Sequence, residues 1–179
     1  MDTSLWMEHG TKTRSNLIVT PENFVLTQET ILTGVGEKAD PDEVTFLRPG
    51  KAFFTYDEAI AMFEQDQFPK GWRLPTYEEA AALLEEFTDE DDFNSHGFVQ
   101  KLQLDFYGYV YPKMRDYNED PTPTSEAIEG KYMEGRFWVY NPDRNSLYAI
   151  HVKRHGLPVL QAFGPNSGAS IRLVLPTSM

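Results

Sequence analysis

The sequence predicts an α+β fold in which two helices pack on a mainly antiparallel, twisted sheet with long loops. Two observations carry this: a tandem of helix starts in the first half, and a series of β-branched and aromatic runs in the second. Both helix starts are capping boxes. Thr55 stands three residues before Glu58, and Thr76 three before Glu79. In each, the hydroxyl accepts from the third helical amide while the carboxylate accepts from the N–H of the cap residue. Apolar residues then recur at helical spacing, with Ala59, Ile60, Met62 and Phe63 in the first helix. Ala80, Leu83, Leu84 and Phe87 do the same in the second, so each helix has a stripe for the core. Helices are expected over residues 55–63 and 76–87.

The segment between them is extended. Pro75 pushes Leu74 out of the α region, and Trp72 between Gly71 and Arg73 is expected to be a buried clamp. Strands are expected over 106–111, 136–140, 147–152, 159–163 and 171–175, runs rich in β-branched and aromatic residues bounded by Gly and Pro. The last of these is expected to be central in its sheet. Ahead of the helices, Asn16-Leu17-Ile18-Val19 and Phe24-Val25-Leu26 read as short strands broken by Pro21, and residues 34–42 as a loop. Residues 113–131 form a long polar insertion of the kind that is functional or mobile in compact domains. The chain divides into an N-terminal extension, 1–49, a candidate tether or homo-oligomer contact, and a main domain, 50–179.

Composition excludes several classes. The chain has 179 residues and a formal net charge of −12, with 16 basic residues scattered among 28 acidic ones. A nucleic-acid binder needs clustered Lys and Arg to neutralise phosphates, so no nucleic-acid partner is expected. The densest acidic run, residues 85–92, lacks the central glycine of a calcium loop and reads as a solvated helix end. There is no cysteine, which removes disulfides, thiolate nucleophiles and zinc–thiolate sites together. No apolar run approaches the roughly 20 residues that span a bilayer. The first nine residues carry neither a basic nor an apolar leader region. The expected location is a virion or cell surface.

The order of elements carries a resemblance. A short helix is followed by P-x-G-W-R-L-P-T-x-x-E, where Gly71-Trp72-Arg73-Leu74-Pro75-Thr76 leads into the second helix. Then come the aromatic segment Leu104-Asp105-Phe106-Tyr107-Gly108-Tyr109, the run Gly135-Arg136-Phe137-Trp138-Val139, and a terminal Ser170-Ile171-Arg172-Leu173-Val174. Over residues 50–176 this resembles the C-type lectin-like fold in its bacterial and phage form. That group includes FISUMP-like domains, formylglycine-generating-enzyme-like domains and variable proteins diversified by retroelements. A shared fold does not transfer a function. The resemblance implies that the ligand face is built by the last third of the chain.

Catalysis finds no support in the residues. The formylglycine-generating relatives use cysteines, which are absent, and iron-dependent relatives use a histidine-rich site. This chain has only His9, His96, His151 and His155. His151 and His155 lie four apart in strand context, about 13 Å of rise, too far to share a metal. Asn141-Pro142-Asp143 is the nearest approach to a sugar-binding calcium triplet, and turn chemistry explains it. No enzyme, cofactor or metal is expected.

A binding surface remains. The candidate ligand-binding residues are Tyr140, Asn141, Arg144, Asn145, Tyr148, His151, Lys153 and Arg154, within a face built by residues 140–167. Tyr, Asn, Arg and His offer contact area and adaptable hydrogen bonds at low entropic cost. In a strongly acidic protein they also form a local reversal of sign. The expected function is a non-catalytic, calcium-independent ligand- or receptor-binding module acting in adhesion, its partner a protein or glycan on a target surface. The alternatives are a structural or assembly protein of a fibre or virion and, more weakly, an enzyme of the formylglycine-generating group that uses carboxylates.

Overall fold

The computed structural model describes residues 3–25, 53–88, 95–106, 109–110, 128–129, 133–142, 147–164 and 167–177. The expected loop 34–42, most of the insertion 113–131, and Leu26 lie outside these residues. The fold is mixed α+β. The helices are α1 (Thr3–His9), α2 (Tyr56–Glu64), α3 (Tyr77–Phe87) and α4 (His96–Leu102). The strands are β1 (Thr11–Lys12), β2 (Leu17–Val19), β3 (Tyr109–Val110), β4 (Ile128–Glu129), β5 (Glu134–Trp138), β6 (Tyr148–Lys153), β7 (Val159–Ala162) and β8 (Val174–Pro176). Among the described residues they form three antiparallel sheets, β1-β2-β8, β3-β4 and β5-β6-β7.

Both capping boxes form. Thr55 Oγ1 accepts from the Glu58 N–H at 3.2 Å, and Glu58 Oε1 from the Thr55 N–H at 2.7 Å. Thr76 and Glu79 repeat the pattern at 3.2 and 2.9 Å. The second box carries an addition. Arg73 forks onto the Glu79 carboxylate, with Nη1–Oε1 at 2.6 Å and Nη2–Oε2 at 2.9 Å. Burial opposes ionisation of Glu79, but the bonds from Arg73 and Thr76 outweigh it and hold the carboxyl below its ordinary range. The Arg-x-x-Thr-x-x-Glu spacing thus locks the entry to α3 twice.

The segment before α3 is tied to the far end of the chain. Arg73 and Val174 exchange both backbone hydrogen bonds, at 3.0 and 2.7 Å. Gly71 adopts φ +88°, a left-handed conformation that favours glycine, and a Cβ there would stand 2.9 Å from Leu175. Trp72 is buried as expected, its ring edge-on to Trp6 with centroids 5.3 Å apart.

The terminal strand is shorter than expected. Only Val174–Pro176 is strand, and in its sheet β8 is the outer strand, paired with β2. The backbone of residues 171–173 bonds to the N-terminal segment instead, with Phe24 N–H on Ile171 O at 2.8 Å and Thr20 N–H on Leu173 O at 3.0 Å. Residues 3–25 are therefore part of the packed body. Trp6 and Phe24 are buried, and β2 completes a sheet with β8. The expected boundary at 49/50 falls outside the described residues. Among the described residues no packing break separates residues 3–25 from the rest.

The β5-β6-β7 sheet divides the core. Side chains alternate across a strand, so Trp138 and Ala149 face one apolar cluster with Phe54, Tyr56, Met62 and Trp72. Phe137, Ile150 and Val152 face the other, beneath α3 and α4 with Leu83, Phe98 and Leu102. Burial on both faces gives β6 its near-continuous apolar character. α1 and α4 were not expected from sequence. Each has seven residues, and Ser95, at the cap of α4, makes no side-chain cap bond.

Candidate functional site

The structure separates the sequence-derived candidates into three places. Tyr140, Asn141 and Tyr148 lie at one end of the β5-β6-β7 sheet and are half-buried. Lys153 and Arg154 are exposed at the opposite end of β6. Six residues of strand put about 20 Å between the two ends. His151 is buried. Arg144 and Asn145 lie outside the described residues.

At the first end, the chain leaving β5 is pinned against α2 and the start of α3. The Tyr140 N–H donates to Pro75 O at 2.8 Å, which sets Tyr140 beside the cap of α3. Tyr56 Oη donates to Asn141 O at 2.7 Å and accepts from the Asn141 N–H at 3.1 Å. The Tyr140 ring packs on Phe63 with centroids 6.0 Å apart, and Tyr148 meets Tyr77 edge-on at 5.2 Å. Phe63 and Tyr77 are 37% and 38% exposed, unusually open for such side chains. Two aromatic pairs thus stand near the start of α3, neither sealed into the core. A depression of about 540 Å³ adjoins Phe63, with Asp66, Lys70 and Trp72 among its walls.

Phe63 was expected in the core stripe of the first helix. It sits in the last turn of α2, where the helix runs out over the edge of the core, so its ring is covered only in part. Tyr77 was not expected in the site. It is the first residue after the Thr76 cap and, seven residues before Leu84, lies at the edge of the apolar stripe, so helical spacing would turn it toward the core; at the open end of α3 its ring is left exposed.

His151 was expected on the binding surface, and the structure places it inside. Strand parity turns it to the face of Glu134, Arg136 and Trp138, opposite Arg136 in the register. Its Nδ1 lies 2.5 Å from Gln161 Oε1 and its Nε2 2.7 Å from Glu134 Oε1. Arg136 lies beside this pair, buried against two rings that meet edge-on. Its guanidinium carbon is 3.9 Å from the Tyr109 centroid and 4.5 Å from that of Phe163. With both ring nitrogens engaged by fixed side chains, His151 is a stitch between β5, β6 and β7. Among the described residues no three His, Asp or Glu side chains are grouped to hold a metal ion. No helix among them is long and apolar enough to cross a membrane.

At the other end of β6, Arg154 and His155 face α4 across a groove of about 610 Å³, with His96 and Asp105 on its far side. Compared with protein-family models, with curated proteins and with solved structures, the chain matches none of them.

Proposed function

We propose that this chain is a non-catalytic binding module with a C-type lectin-like fold that engages a protein or glycan ligand on a target surface, as an adhesion component of a phage particle or bacterial surface. Support for the fold reading comes from the two motifs on which the resemblance rests. The W-R-L-P-T-x-x-E segment and the terminal R-L-V segment are joined by the paired backbone bonds of Arg73 and Val174. The observation that carries the binding reading is the presence of two partly exposed aromatic pairs at one end of the sheet, Phe63 with Tyr140 and Tyr77 with Tyr148. Rings left partly in water at the edge of a core lose apolar burial, and aromatic residues of this kind anchor interfaces and stack on sugar rings. The site is narrower than the sequence-derived face. It keeps Tyr140, Asn141 and Tyr148, gains Phe63 and Tyr77, and omits His151, Lys153 and Arg154.

The test is a glycan and protein array probed with the wild type and with Tyr77→Ala/Tyr148→Ala. Each ring is only partly buried, so the pair is expected to fold while losing array signal by about tenfold or more. Undiminished binding by the folded double variant would remove the aromatic end from the site.

A further inference from the structure

The start of α3 repeats at the surface an arrangement that the protein also builds inside. With the aromatic end taken as the binding site, on which this inference rests, we propose that the corner between the Tyr77 and Tyr148 rings receives an arginine side chain of a basic protein partner. Its guanidinium packs on the two rings and is steered there by Glu78.

The interior shows what such a corner holds. The rings of Tyr109 and Phe163 meet edge-on, with centroids 5.9 Å apart and planes at 85°. Arg136 fills the angle between them, its guanidinium carbon 3.9 and 4.5 Å from the two centroids. A flat, weakly hydrated cation suits the place, because ring faces are negative and attract it. Tyr77 and Tyr148 meet at 5.2 Å and 67°, a corner of similar shape. Among the described residues the cations standing over rings are Lys101 on Phe87 and Arg136 on Tyr109 and Phe163, so none of them stands over Tyr77 or Tyr148.

Regular elements hold this outer corner in shape. Tyr77 is the first residue of α3, whose start is fixed by the Thr76–Glu79 box and the Arg73 fork. Tyr148 opens β6, the middle strand of its sheet, and shares with Ile150 and Val152 the face beneath α3. Its neighbour across the register is Ala162, too short to cover the ring. Tyr77 is exposed and Tyr148 half-buried, which leaves ring area open to an incoming side chain. Charge then selects the partner. α3 carries Glu78, Glu79, Glu85 and Glu86 and no basic residue. Glu79 is taken by Arg73, whereas Glu78, next to Tyr77, is exposed. In a chain of net charge −12 this end draws cations and repels anions. Arginine fits better than lysine because it is flat and gives up water more readily.

The experiment is an NMR titration of the whole chain, following the ring signals of Tyr77 and Tyr148. The probes are a blocked glycine–serine peptide with one central arginine and the same peptide with lysine or citrulline in its place. The arginine peptide is expected to shift both ring signals saturably. It should bind about threefold more tightly than the lysine peptide and about tenfold more tightly than the citrulline one, which keeps the plane without the charge. Tyr148→Leu keeps apolar area without a ring face and should weaken binding by about fivefold. Tyr77→Leu, at the exposed first position of α3, should do the same and decides the matter where the first variant fails to fold. Glu78→Gln should cost about twofold. Equal affinity for the arginine and citrulline peptides, or full binding by either folded leucine variant, overturns the arginine. An array glycan that loses its signal in Tyr77→Ala/Tyr148→Ala, with no preference for arginine in the titration, overturns the arginine and leaves the site. Undiminished array binding by that double variant removes site and arginine together.

Discussion

Arg136 and Arg172 are buried to almost the same degree, at 5% and 4% exposure, yet they are held in opposite ways. Arg172 donates its hydrogen bonds to neutral oxygens, with the Asp105 carboxylate at 3.7 Å from Nη2. Nε donates to Asn23 Oδ1 at 2.6 Å, Nη1 to Thr20 O and Leu102 O at 2.8 and 2.9 Å, and Nη2 to Gln103 O at 2.7 Å. Those acceptors belong to the N-terminal segment and the end of α4, so one side chain welds three stretches of chain. Arg136 instead packs into the corner made by the Tyr109 and Phe163 rings, which meet edge-on, its guanidinium carbon 3.9 and 4.5 Å from their centroids. The first arrangement depends on where five donors point, the second on where a flat charge lies. Burial alone does not tell what a charged side chain does; its acceptors do.

The same substitution made in both places breaks this comparison most sharply. Arg172→Lys supplies a compact ammonium that cannot reach acceptors on both segments at once, and it strands buried carbonyls. It should cost about 3–5 kcal/mol, measured by urea unfolding. A cost below about 1 kcal/mol would show that the carbonyls find other donors. Arg136→Lys keeps the charge and loses the planar contact with the rings, and should cost about 1–2 kcal/mol in the same assay. Should the two variants lose equal stability, the distinction between fork and ring contact is idle.

Arg73 gives a third and milder case, a fork onto a carboxylate that is partly open to water. Solvent screening holds the expected cost of Arg73→Lys to about 0.5–1 kcal/mol. Glu79→Gln sharpens this through pH. A carboxyl lowered in the folded state stabilises the protein above its ordinary value near 4.5 and gives that contribution up as pH falls through the folded value. The stability difference between wild type and Glu79→Gln should therefore be full at pH 7 and shrink below pH 4.5, read from urea midpoints at each pH. A difference independent of pH would mean that the neutral amide serves α3 as well as the ion pair does.

What the sequence made legible was local. Thr55, Glu58, Thr76 and Glu79 specify their helix starts within four residues, and both boxes formed. β5 and β6 appeared within two residues of their expected ends. α4 was not legible because the hydroxyl of Ser95 bonds to Lys153, 58 residues away, and leaves no cap in its own neighbourhood. The candidate site was only partly legible for a related reason. That Tyr140 and Tyr148 stand near one end, and Lys153 and Arg154 near the other, follows from strand length. That His151 turns inward depends on the parity of β6 against β5, which a single chain does not reveal. Phe63 was placed in the core because periodicity marks a stripe without marking where the core beneath it ends.

The pairing of β2 with β8 has a consequence for how the protein comes to be made. Asn16 O accepts from both the N–H and the hydroxyl of Thr177, 161 residues away, and Arg172 reaches back 152 residues to Thr20. Contacts of such span require a long loop to close before they return any stability, and they slow folding. During synthesis from the N-terminus, β2 waits with one edge open until residues 172–177 have emerged. Trp6, Ile18 and Phe24, which pack in the same cluster as Ile171 and Leu173, wait with it. The nascent chain therefore holds an apolar strand with one edge open until that segment is made, an interval in which a chaperone has the most to cover.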